Sequence, residues 1–556
     1  MLAALAERDL LRHVDVLSCV SGGSILGAYY YLEMRKLLQD REDGEIERDD
    51  YVKLVERVHQ GFLAGVQQNI RMRIGSSLCA SLRMMFKPGY TTSNRLSDLY
   101  QDKLYAQIED DGKRLMRELQ IKPKGDENCN PKYDNWQRVN KVPILILNAT
   151  TVNTGHNWQF TASWMGEPPT FIDSEIDGNY RLRRMYLDGE APPPHCDISL
   201  GDAVAASSCV PGLFAPLELR GLYEDDVTVR LVDGGVHDNQ GVFGLIEQNC
   251  SVLIVSDASG QMEADDNPED DPLKILSRTS SMLQARVRAA QYREIEARRR
   301  SGLLKGLMFL HLRKGLDAED RDWLHCENPK HLTADDLHQQ RSPLTEYGVL
   351  KKFQRLIAGI RTDLDSFNDT EAFALIASGY KMAAANIESS IQGLPIDPGR
   401  HSWTFLQMDE RLSKSSDETL ESVLKAAGAT LLKVWSLSDP LRWLKSASKM
   451  AAWVVVGLVL LTAPFLWGGQ PSTSLKAMAA APGIAVVAIA FYKFGLGPLL
   501  RLIGYRKTAH QLLIGAGLST VGWIVAWLHI LIFDRAYLRH GKVDNTPAST
   551  GEVGQG

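Results

Sequence analysis

Cys19-Val20-Ser21-Gly22-Gly23 constrains the folding of this chain more than any other stretch. A short apolar run (Val14, Val16, Leu17) leads into it, and Ile25, Ala28, Tyr29 and Leu32 follow at i, i+3, i+4 and i+7. The spacing predicts a strand, a tight turn carrying serine, then a helix, which is the layout of a nucleophile elbow. Such a turn lifts the hydroxyl clear of the sheet and aims the free N–H groups of the helix at developing negative charge. Gly22 and Gly23 are expected to remove Cβ atoms that would crowd the turn. Cys19 stands where the usual G-x-S-x-G pattern has its first glycine, and cysteine is a small hydrophobe that such a turn tolerates. The same letters also fit an ordinary Ser-Gly-Gly turn after a strand.

A second element lies far downstream. Val227 to Val232 reads as a strand, and Asp233-Gly234-Gly235 follows at once. A carboxylate at a strand end, followed by two glycines, can approach another loop without steric cost. A free serine hydroxyl is a poor nucleophile near neutral pH and needs a base. Asp233 could take its proton directly if an apolar setting raised its proton affinity. Alone, Asp-Gly-Gly is most often just a turn; with the serine motif it gains weight.

Taken together, these motifs resemble the patatin-like phospholipase family, whose members use a Ser-Asp dyad. The matching residues are Ser21 in Cys19-Val20-Ser21-Gly22-Gly23 and Asp233 in Val232-Asp233-Gly234-Gly235-Val236-His237-Asp238-Asn239-Gln240-Gly241. Two blocks between them also look like the family: Pro143 to Thr150 continuing to Gly155, and Ala203 to Ser208 with Pro211, Phe214 and Pro216 after it. By this resemblance Ser21 is the nucleophile and Asp233 the general base.

Members of that family also carry a first strand and a Gly-rich oxyanion loop some tens of residues before the elbow. Here Leu2 to Leu11 already reads as the helix that would follow such a loop. The strand and loop are therefore expected to be missing. Either the true start lies upstream, which we favour, or this is a truncated and weakly active form. Losing one oxyanion donor costs on the order of 10²–10³ in turnover.

The last fifth of the chain is different material. Met450 to Trp467, Ala477 to Tyr492 and Leu512 to Phe533 are apolar runs, the first long enough to cross a hydrocarbon core. Three such runs so close together predict a small membrane domain. Lys433, Arg442, Lys445, Lys449, Lys493, Arg501, Arg506 and Lys507 outnumber Lys476, Arg535, Arg539 and Lys542 across it, which predicts a cytoplasmic catalytic domain. Seven scattered cysteines suggest a reducing compartment rather than a disulfide framework. A net charge of −6 leaves no nucleic-acid footprint.

Between these parts, Tyr51 to Leu78 reads as an amphipathic helical cap, and Leu276 to Arg300 as a long Arg-rich helix. That helix is either a solvated face laced with ion pairs or a surface for anionic lipid. Glu346 to Ile387 reads as helical with a break at Gly379, and Asp225-Asp226 as a hairpin turn. His325, Cys326, His331, His338 and Asp335 have spacings that fit no common zinc site. His156 and His195 are expected on the surface. His237 could serve a Ser-His-Asp triad, but α/β-hydrolases place their histidine after a separate acid and strand.

The expected fold is a three-layer α/β domain with a mostly parallel central sheet and a C-terminal α-helical membrane domain. Residues 1–260 form the catalytic core, 261–392 a helical extension, 393–448 a linker with amphipathic helices, 449–534 about three transmembrane helices, and 535–556 a polar tail. The resemblance implies a lipid acyl hydrolase of phospholipase A type, working through Ser21 and Asp233 with Gly22 and Gly23 beside the oxyanion and Gly234 and Gly235 shaping the acid's loop. No cofactor or metal is implied; the partners are a lipid substrate and a lipid bilayer. The competing readings are a catalytically weak or dead membrane scaffold lacking the oxyanion loop, and an esterase or thioesterase using His237.

Overall fold

In a computed structural model, the apolar run before Ser21 is strand β1 (Val16–Val20), and the helix Gly22–Asp40 begins directly after it. The structure describes residues 1–429, 433 and 522–543, apart from residues 88, 109–111, 170–174, 176, 188–195, 319–320, 322, 327–341, 398 and 415–416.

Eight further strands follow: β2 (Ile144–Thr151), β3 (Asn157–Phe160), β4 (Trp164–Gly166), β5 (Met185–Tyr186), β6 (Leu217–Leu219), β7 (Val229–Asp233), β8 (Val252–Asp257) and β9 (Gly306–His311). The main sheet runs β5-β4-β3-β2-β7-β6, with β1 also paired to β2; β8 and β9 form a separate pair. The fold is α/β, but the expected mostly parallel sheet is not what the described strands form. Only β1–β2 and β8–β9 are parallel, and the other pairs are antiparallel. Connection length explains the difference. Helices separate β1 from β2 and β8 from β9, whereas β2 to β3, β3 to β4 and β6 to β7 are joined by short links without a helix, which return the chain antiparallel. Asp225 and Asp226, both at φ 57°, lie in the β6–β7 connection, as the hairpin expectation required.

β1 is covered on both faces. A Cβ at Gly27 would stand 2.3 Å from Cys19 Sγ, so the helix Gly22–Asp40 packs on the Cys19 face. A Cβ at Gly244 would stand 2.8 Å from Ser18 Oγ, so the helix Val242–Glu247 packs on the other. Adjacent strand residues point to opposite sides, which makes this a helix–sheet–helix sandwich. The core it builds includes fully buried Tyr30, Tyr51, Trp158 and Phe160, each stabilising by roughly 1.5–3 kcal/mol relative to exposure.

The stretch Tyr51 to Leu78, expected as a helical cap, falls in three helices, Arg48–Val66, Ile70–Gly75 and Leu78–Phe86. The expected break at Gly379 is absent: the helix Asp369–Ser390 runs through it. The break instead falls between this helix and Lys351–Ala358, where Arg361, Asp365 and Ser366 turn inward. Arg361 bonds Asp365 (3.1 Å) and Glu371 (3.0 Å), and Lys433 pairs with Asp365 (3.0 Å), all with side chains at most 2 % exposed. Packing along Asp369–Ser390 outweighs the ~1 kcal/mol helix cost of one glycine.

Of the three apolar runs, Met450–Trp467 and Ala477–Tyr492 lie outside the described residues, and Leu512–Phe533 is described only from residue 522. Among the described residues no helix is long and apolar enough to cross a membrane. The segment directly after the third run docks on the domain. Asp534 accepts from Asn69 Nδ2 (2.5 Å) and Ser366 Oγ (3.1 Å), and the Tyr537 hydroxyl donates to Glu371 Oε2 (2.9 Å).

Candidate active site

β1 and β7 lie end to end along one edge of β2. β1 runs parallel to it and stops with Val20 opposite Asn148. β7 comes from the other direction and stops with Asp233 opposite Ala149. β3 holds the opposite edge, pairing with Leu147 to Thr150. Two strand ends, far apart in sequence, therefore converge on one peptide of β2.

Ser21 is the first residue beyond β1, at φ 53° and ψ −127°. This is backbone that glycine enters freely and other residues enter only under strain, at about 1–3 kcal/mol. Its N–H donates to Ser207 O (3.2 Å) and Ser207 Oγ (3.1 Å). Ser207 in turn donates to Asn148 O (2.5 Å) and shares a hydrogen bond with Ser24 Oγ (2.7 Å). These contacts hold the turn in its strained shape. The hydroxyl of Ser21 donates to Asp233 Oδ2 at 2.6 Å.

Asp233 is 5 % exposed. Its other oxygen accepts from Gly235 N (2.7 Å), its N–H donates to Cys209 O (3.1 Å), and its carbonyl accepts from Thr150 Oγ1 (3.0 Å). Burial raises its carboxyl pKa to about 6, against the lowering pull of the Ser21 and Gly235 hydrogen bonds. A carboxylate with that affinity is a competent base near neutral pH, and it sits in contact with the hydroxyl.

The glycines divide into two kinds. A Cβ at Gly234 would lie 2.3 Å from the backbone oxygen of Asn148, so the acid's loop needs that glycine for close approach; one at Gly235 would lie 2.5 Å from Asn239 Oδ1, the end of a side chain. Gly22 and Gly23 differ from expectation: a Cβ at either would meet nothing within 4 Å, and both residues are exposed. They do not relieve crowding inside the protein; they leave space open in front of the serine. First-turn N–H groups of a helix have no intrahelical acceptor; Ser24 N–H bonds back to Ser21 O (2.9 Å), while those of Gly22 and Gly23 face this exposed side.

Asn148, within the family-like block Pro143 to Thr150, has a part that its own segment does not reveal. It is fully buried, and its Nδ2 donates to Ser18 Oγ and Cys19 O, each at 3.0 Å. A lone amide in an apolar strand was the signal. Ser207 was equally hidden within a helix-end block.

His237 does not join the pair. Its Nδ1 lies 3.2 Å from Gly155 O, its ring packs against Phe243, and burial lowers its pKa. His156 is not the surface residue expected. It is 7 % exposed and held between Glu167 Oε2 (2.9 Å) and Asp177 Oδ2 (2.6 Å); hydrogen bonds to both acids outweigh burial and raise its pKa. His195, His331, His338 and Asp335 lie outside the described residues. Among the described residues no cluster could hold a metal ion.

Exposed apolar side chains follow closely in sequence on residues that position the pair. Val210 and Leu213 follow Cys209, and Val236 follows the acid's glycines; they are 40 %, 61 % and 43 % exposed. Compared with known families, residues 1–246 match the model described as Patatin-like phospholipase. No curated protein matches the chain.

Proposed function

We propose, from the match of residues 1–246 to the patatin-like phospholipase model, that this chain hydrolyses acyl ester bonds of lipids through Ser21 and Asp233. Lipid acyl hydrolysis in general follows from the family; the roles of individual residues are our reading. The observation that carries it is the 2.6 Å hydrogen bond from the Ser21 hydroxyl to a buried carboxylate, made from a strained turn.

In this mechanism Asp233 accepts the hydroxyl proton as Ser21 Oγ attacks the ester carbonyl. The carbonyl oxygen becomes an oxyanion beside the N–H of Gly22. Asp233 then returns the proton to the departing alcohol, leaving an acyl-serine. A water gives its proton to Asp233 and attacks that ester, and collapse restores both side chains. Val210, Leu213 and Val236, exposed and close in sequence to Cys209 and Asp233, would suit an apolar substrate.

The apolar runs of the C-terminal fifth support a second part of the proposal, that the catalytic domain is held at a bilayer from the cytoplasmic side. Attachment would concentrate the site where its substrate lies. Retention of the full chain in the membrane pellet after alkaline carbonate extraction supports this part; release refutes it.

Fatty acid release by the full chain, from a panel of phospholipids and neutral esters, tests the catalytic part against its Ser21→Ala variant. Release by the parent with loss of at least a thousand-fold in the variant is expected. No release by the parent, or an undiminished variant, refutes it.

A further inference from the structure

Beside the dyad lies a second feature that the hydrolytic mechanism does not use. The helix Pro272–Arg300 turns Ser281, Gln284 and Arg288, spaced i, i+3 and i+7, toward the loop after β8. Between them is a cleft of about 280 Å³, lined also by Asn239. Asn239 links it to the acid's turn: a Cβ on Gly235 would lie 2.5 Å from Asn239 Oδ1 and 3.1 Å from Asp233 Oδ1. Asn239 thus lines the cleft and also neighbours the acid of the pair.

Its wall is polar and carries one cation, Arg288. That guanidinium lies 3.6 Å from Asp257 Oδ2, beyond hydrogen-bonding distance. Asp257 is already engaged by Ser259 N (3.0 Å), the Ser259 hydroxyl and Gln240 Nε2 (3.3 Å). It orients Arg288 without taking its donors. His311, the register partner of Asp257, has its pKa lowered by burial and so adds no cationic charge of its own near neutral pH.

Two observations make the site a fixed one. Gln291, one turn beyond Arg288, donates to buried Asp238 Oδ1 (2.9 Å), which also accepts from Gly241 N (2.9 Å). Ile295 is 1 % exposed. The helix carries no acid between Pro272 and Arg293. The acidic loop before it neutralises only its first turns, through Lys274–Glu269 and Arg278–Asp265.

We propose that this cleft is a subsite for the phosphodiester of a glycerophospholipid whose acyl ester lies at Ser21. The inference rests on the hydrolase reading above and adds the headgroup contact to it. A guanidinium fork with unspent donors matches two phosphate oxygens. The amides of Gln284 and Asn239 supply polar neighbours, and the volume suits a headgroup rather than an acyl chain.

The test compares kcat/KM for a phospholipid and for a neutral diacylglycerol, each in neutral detergent micelles, using the full chain and its Arg288→Gln variant. The ratio of the two constants should fall by about ten- to a hundred-fold in the variant, the range expected for a lost charge-assisted contact. Arg288→Lys should recover part of it, since the charge remains but the fork does not. A ratio that stays within two-fold overturns the subsite, because damage to the fold would lower both constants alike. Competition separates sources of phosphate: sn-glycero-3-phosphocholine should inhibit phospholipid hydrolysis, and inorganic phosphate should not. Inhibition by inorganic phosphate alone would make this a free-anion site and overturn the headgroup assignment. If the parent fails even on a soluble short-chain ester, the hydrolase reading itself has failed; activity there with an unmoved ratio removes the subsite alone.

Discussion

Ser21 and Asp233, 212 residues apart, share a 2.6 Å hydrogen bond because their strands end against neighbouring residues of β2, Asn148 and Ala149. Neither strand pairs with the other. Their meeting depends on a single peptide of a third strand, and Gly234 is glycine because its backbone crosses that peptide's carbonyl.

Strain at Ser21 separates two deletions of the same hydroxyl. Ser21→Ala and Ser21→Gly should both abolish ester hydrolysis. At φ 53°, glycine relaxes the turn and alanine does not, so Ser21→Gly should be the more stable of the two by roughly 1 kcal/mol. Thermal unfolding of both variants reads this directly; equal midpoints would mean the turn holds no strain.

Ionisation of Asp233 sets the acid limb of activity. With its pKa raised to about 6, kcat/KM on a soluble ester should rise with pH through about 6 and then level off. Linkage runs the other way for stability. The unfolded carboxyl ionises near ~3.9, so the stabilising protonated form is fully present below that and lost as pH rises through about 6. Asp233→Asn should therefore raise the unfolding midpoint relative to the parent more at pH ~8 than at pH ~5, while activity is lost at both. A variant destabilised most at the higher pH would contradict this account.

Glycine substitutions should sort by the space around them. Gly234→Ala forces a Cβ to 2.3 Å from Asn148 O and should cost on the order of 2–4 kcal/mol with loss of hydrolysis. Gly22→Ala meets nothing within 4 Å, so the midpoint should move by less than about 1 kcal/mol, and any effect should fall on lipid turnover instead. Denaturant unfolding of both variants decides, and equal costs would refute the distinction.

Histidine at position 237 is dispensable if the dyad is complete. His237→Phe keeps packing against Phe243 and loses only the contact to Gly155 O. Hydrolysis should stay within about three-fold of the parent, whereas a histidine base would require a loss of roughly 10⁴-fold or more. Progress curves on one soluble ester suffice.

Local chemistry was readable from the residues alone. Apolar spacing around Ser21 predicts strand, turn and helix, and all three are present. Asp-Gly-Gly after a β-branched run predicts a strand end with a close backbone approach, which Gly234 makes. Both depend on neighbours a few residues away, where side-chain period and glycine's freedom are decisive. Long-range features were not readable. Sheet direction depends on whether a link doubles back or carries a helix, and hydropathy does not report that. Gly379 lies inside a helix because distant packing outweighs its propensity. His156 is buried because Glu167 and Asp177 come to it from other segments. Asn148 and Ser207 look like filler in their own segments, and they matter because the tertiary fold brings them to Ser21. The amino-acid order thus determined the elements and the reactive groups they carry. Only the packed chain decided which groups meet, because burial and hydrogen bonding between remote segments depend on where every segment lies.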